Sequence, residues 1–120
     1  MEKREFYEIK SNQSEVFEQG LRKVSFQTRD DLGFFLFIWF DAKNLIQKFQ
    51  LIFGNRFLDW DGSVRWGTIT ETESAHNPSG ILRVSPDRTI YKSALEILTD
   101  STLPKEYGLK IKPIINSLTI

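Results

Sequence analysis

Asp59 and Asp61 flank Trp60, and Glu71 and Glu73 follow, so residues 59–73 carry four acids against Arg65 alone. Side chains two apart on a strand point to one face, so the two aspartates can share a site, as paired carboxylates do in acid/base catalysis or around a hard cation. A turn explains the same residues more simply, because Asp and Gly supply the backbone shapes that hairpins need. The Asp-x-Asp-Gly order of residues 59–62 fails as a calcium loop, since the glycine of that loop stands at about position six and Gly62 comes too early. His76 is the sole imidazole, between Ala75 and Asn77. A general base needs an orienting acceptor and a nucleophile, and Ser74 nearby identifies neither. No catalytic residue, metal ligand or cofactor is therefore assigned.

Side chains suited to binding are more abundant. Arg56, Phe57, Trp60, Arg65 and Trp66 fall on one stretch that reads as a meander, and Tyr107 lies on a later helical pattern. Aromatics and arginines anchor protein interfaces. On a sheet they also stack and clamp single-stranded nucleic acid. The charge count sets nucleic acid behind protein: 16 Lys and Arg balance 16 Asp and Glu. No RNA-recognition octapeptide and no Gly-rich phosphate loop occurs. Arg56, Trp60, Arg65, Trp66 and Tyr107 are the candidate binding residues.

The elements that must position them follow from composition and period. At 120 residues and 40% hydrophobic content, the chain is expected to form one folded domain over residues 1–120. Cysteine is absent, which removes disulfides and thiolate sites. The first twenty residues lack the apolar core of an export signal, and the longest apolar run, Phe34 to Phe40, falls short of the roughly 18 residues of a membrane span; the expectation is a cytoplasmic protein without membrane contact.

Eleven of the sixteen aromatics lie between Phe26 and Trp66, whereas the last forty residues are rich in Ile and Leu. Strands are expected first and helices last. Val24 to Arg29 alternates, residues 30–33 turn, and the run 34–40 reads as a central strand with both faces covered. Asp41 caps a short helical turn over 42–46. Residues 48–53, Gly54-Asn55 and 56–60 form a hairpin, 61–63 turn again, 64–70 is a further strand, and 81–84 a short one. The polar segment 71–80 reads as a loop. Ser85-Pro86-Asp87 starts a helix over about 86–99, with Ser85 as N-cap. A second helix over about 103–118 is interrupted at Gly108 and Pro113. At the N-terminus, Phe6, Tyr7 and Ile9 suggest an edge strand, and residues 14–18 a helical turn ended by Gly20.

The fold expected is α+β: an antiparallel meander or curved sheet over about residues 24–84, packed against two C-terminal helices. The function expected is that of a non-enzymatic interaction domain binding another protein, as an inhibitor, immunity-type partner or regulatory adaptor does. A second copy of the chain is a further candidate partner, because two apolar strand faces need two covers. The alternative is a small-molecule pocket, aromatic-lined, between sheet and helices, with Arg65, Arg83 or Asp59 as its polar groups.

Overall fold

The structure, a computed structural model, describes residues 4–9, 16–28, 33–70 and 81–118. Its strands are β1 (Arg4–Glu8), β2 (Val16–Glu18), β3 (Leu21–Thr28), β4 (Phe35–Phe40), β5 (Ile46–Phe53), β6 (Arg56–Trp60), β7 (Val64–Thr70), β8 (Ile81–Val84) and β9 (Ser101–Thr102); the helices are α1 (Arg88–Asp100) and α2 (Lys105–Leu118). They form an α+β fold in which a curled, mostly antiparallel sheet of order β8-β7-β6-β5-β4-β3-β1-β9 packs on the two C-terminal helices. β2 pairs with the same edge of β3 as β1 does. Consecutive strands from β3 to β8 are neighbours, as short turns between alternating apolar runs dictate.

Four local expectations are corrected. Residues 16–18 are a strand rather than a helical turn, because Val16 and Phe17 favour a pleated surface and Gln19 and Gly20, at φ 53° and 78°, close a tight hairpin onto β3. Asp41 caps a turn between strands, not a helix. Its Oδ1 accepts from the amides of Lys43 and Leu45 while Asn44 takes φ 62°, so β5 begins at Ile46. The N-cap of α1 is Asp87, whose side chain accepts from Thr89 N; Ser85 instead accepts from Asp87 N and extends the strand, its own amide donating to Trp66 O. Finally, α2 runs through Gly108 and Pro113 as one helix. Pro113 and Leu109 are both exposed, so water can satisfy the carbonyl that the proline leaves without a donor.

Face parity decides what the helices cover. Val24, Phe26, Leu36, Ile38, Phe40, Phe49, Leu51, Phe53 and Leu58 form one buried cluster with Ile90, Ala94, Ile97 and Leu98 of α1 and Ile111 and Ile115 of α2. The C-terminal end of α1 has no basic residue of its own. Lys112 of α2 supplies the charge, donating to the carbonyls of Leu98, Thr99 and Ser101 at 3.1, 3.3 and 3.3 Å, and the Ser101 hydroxyl donates to Ile97 O. Among the described residues no helix is long and apolar enough to cross a membrane.

Candidate docking edge of the sheet

The odd-numbered residues of β4 and their cross-strand partners make up the face turned away from the helices. Ser25, Phe37, Gln50, Asp59 and Arg65 form one row, and Gln27, Phe35, Ile52, Phe57, Gly67 and Val84 the next. No described helix lies over these rows; of the two arrangements expected for a strand apolar on both faces, a central layer or a strongly curved sheet, the sheet is the curled one.

The two ends of this face are treated differently. At the β3–β5 end, Phe35 and Phe37 lie parallel with centroids 6.3 Å apart, and Phe37 leads on to Trp39. Lys23 Nζ sits 4.7 Å from the Phe37 centroid and Lys48 Nζ 4.5 Å from that of Trp39. Trp39 Nε1 donates to Glu18 at 3.1 Å, and Glu18 pairs with Lys23. The Lys23 hydrogen bond holds the Glu18 carboxyl below its usual range. Lysine stems and one carboxylate thus bury Trp39 to 5% exposure without a covering element.

At the β8 end no described residue supplies such cover. Leu82 is 41% and Val84 69% exposed. From Phe35 on β4 to Val84 on β8 the apolar row crosses four strand intervals, about 19 Å at ~4.8 Å each, with Phe57 buried within it and Gly67 the one position without a side chain. β8 is also the terminal strand of the sheet, paired with β7 alone among the described strands. Ser85 N donates to Trp66 O, so by antiparallel alternation the backbone groups of Arg83 turn towards β7 and those of Leu82 and Val84 turn outwards. The same two residues thus expose both side chain and main chain.

On the helix-side face of this edge stand three exposed arginines. Arg56, Thr68 and Arg83 are successive partners across β6, β7 and β8, which puts the two arginines about 10 Å apart. Arg88 Cζ lies 5.8 Å from the Trp66 ring centroid and 5.9 Å from that of Tyr91. Among the described residues, none of the three makes an ion pair within 4 Å. Asp87 is the nearby acid; its carboxyl is held low chiefly by the Thr89 side chain and amide, with Arg56 a smaller influence.

The sequence-derived candidates are spread over both faces. Arg56 belongs to the arginine group just described. Trp60 stacks on Phe49 at 5.6 Å, and Trp66 packs tilted against Tyr91 at 4.6 Å while its Nε1 donates to Asp87 O at 3.0 Å. Both indoles are half-buried margins of the core. Arg65 is on the outer face, paired with Asp61 at 3.1 Å. Tyr107 lies towards the opposite side of the sheet, its ring 5.1 Å from Phe26 and its hydroxyl donating to Glu8 Oε1 at 3.2 Å. Desolvation, followed by the Glu8 charge, raises its pKa above 10.0.

The acids divide as well. Asp59 is half-buried and accepts from Gln50 Nε2 at 2.7 Å; desolvation raises its pKa above the usual 3.8 despite that bond. Asp61 caps the turn by accepting from Ser63 N. Glu71, Glu73 and His76 lie outside the described residues, and among the described ones no group of three acids or imidazoles is placed to hold a metal.

Leu82, Val84, Arg83 and Arg88 were not singled out together in the sequence. The alternation Ile-Leu-Arg-Val was visible, but not that its strand closes the sheet. The space between sheet and helices holds the continuous core. A separate open concavity of about 510 Å³ lies at the turn between the helices, lined by residues such as Thr99, Leu103, Lys105, Leu109 and Asn116. Compared with protein-family models, curated proteins and solved structures, the chain matches none.

Proposed function

We propose that this chain is a non-enzymatic domain that binds another protein, and that it does so at the β8 end of the sheet. The observation that carries the reading is the terminal strand β8, where Leu82 and Val84 are exposed side by side on the face turned away from the helices. Adjacent exposed apolar side chains on an unpaired strand edge, beside charge, are features of interaction surfaces. Single-stranded nucleic acid is less well supported. Base stacking needs open ring faces, whereas Phe35 and Phe37 lie parallel to each other and ammonium groups sit over Phe37 and Trp39.

The test is affinity capture at high salt with wild type and with a Leu82→Lys/Val84→Lys double variant, alongside sedimentation of the purified protein to detect self-association. A stoichiometric protein, or a second copy, held by wild type and released by the variant supports the reading. Capture and sedimentation that do not distinguish the two proteins refute it.

A small-molecule site is the second reading, favoured by the concavity beside α2. Its lining is aliphatic and polar rather than aromatic, with Lys105 and Lys112 as cations.

A further inference from the structure

An open strand edge accepts a partner in a way that a flat apolar patch does not, because main-chain groups set the geometry and side-chain alternation sets the chemistry. Here the outward groups belong to Leu82 and Val84, so an added strand has two amides and two carbonyls to pair with. Its side chains must alternate between the two faces of the sheet. On the outer face they meet Leu82 and Val84. On the helix side they meet Arg83, with Arg56 two strands beyond and Arg88 beside Trp66. The chain as a whole is neutral, so this grouping of cations is local.

Resting on the protein-binding reading above, we propose that the partner is an extended segment of alternating apolar and acidic residues, added to β8 as a further strand with its carboxylates towards Arg83, Arg56 and Arg88. Self-pairing of β8 in the symmetric register that places Leu82 opposite Val84 sets Arg83 against Arg83, and like charges directly opposite are unfavourable. That disfavours a second copy in this mode.

The probe is a capped hexapeptide alternating valine and glutamate, with a valine–lysine hexapeptide as control, titrated into the full chain by amide-resolved NMR. Binding of the glutamate peptide is expected to shift the Leu82 and Val84 amides and slow their exchange, at least fivefold tighter than the lysine peptide and weakening severalfold from low to high salt. Val84→Pro removes an outward amide that β7 does not use, a change that edge strands tolerate, and is expected to weaken binding at least fivefold. Arg83→Glu is expected to abolish or reverse the preference between the two peptides. Equal affinity for both peptides, or an unchanged affinity in Val84→Pro, overturns the strand-addition proposal. If a captured protein is lost in Leu82→Lys/Val84→Lys but retained by Val84→Pro, strand addition is wrong and the protein-binding reading survives. If neither peptide nor protein distinguishes the variants, both are wrong.

Discussion

Gly67 sits where β7 meets β8, and a Cβ built on it falls 1.8 Å from the carbonyl oxygen of Arg83 and 2.9 Å from Val84 Cα. A methyl carbon and a carbonyl oxygen ordinarily approach to about 3.3 Å. β8 must therefore retreat by roughly 1.5 Å to admit an alanine, and the obstacle is backbone, which cannot rotate away. That retreat strains a pairing four residues long, Gly67 to Val84 through Thr70 to Ile81, in which hydrogen-bonded and non-hydrogen-bonded positions alternate. At about 1 kcal/mol per net hydrogen bond, discounted for an edge, Gly67→Ala is expected to cost about 2–3 kcal/mol. Gly108→Ala is the matched control. The same added methyl, inside α2, has as its nearest neighbour Leu103 O at 3.8 Å, ordinary contact, and relieves the helix of glycine's backbone entropy. It is expected to stabilise by about 0.5–1 kcal/mol. With a urea m-value of about 1.5 kcal/mol/M, the unfolding midpoint falls by roughly 1.3–2 M for the first variant and rises by roughly 0.3–0.7 M for the second. A Gly67→Ala midpoint within about 0.3 M of wild type would falsify the reasoning, because it would mean that β8 gives way at no cost.

Lys112→Met removes the cation from three carbonyls at the end of α1 while keeping the aliphatic stem; a loss of about 1–2 kcal/mol is expected, partly restored by Lys112→Arg, in chemical denaturation. Pro113→Ala restores the missing amide donor in α2 and is expected to raise stability by about 1–3 kcal/mol; a lower melting temperature would show that the proline shapes the helix against the core. Asp59 ionises less readily folded than unfolded, so its contribution favours the folded state at low pH and is lost as pH rises through its raised pKa. Asp59→Asn removes that loss and is expected to gain stability relative to wild type between pH 3 and pH 7. A constant difference across that range would contradict the direction of the shift.

Most of the elements were legible along the chain. The runs around Phe37, Ile52 and Leu58, the Gly54-Asn55 turn and the α1 spacing of Ile90, Ala94, Leu95 and Leu98 are local signals, and each element formed where its period placed it. Errors fell where two local structures compete over a few residues. Val16 to Glu18 joins β2 because β3 is beside it, and Asp41 caps a strand turn because β4 and β5 pair across it. For the site, sequence showed which rings and charges exist but not their company. Trp60 and Trp66 went to the core margin once helices covered their face, whereas Glu18 and Lys23 of one hairpin met Lys48, distant along the chain, over Phe37 and Trp39. The chain alone determined strand and helix content, because period and turn chemistry act over neighbouring residues. Which strand ended the sheet, and hence that Leu82, Val84 and Arg83 face solvent on an open edge, was decided only by tertiary pairing. Edges are a property of strand order, which no local pattern encodes.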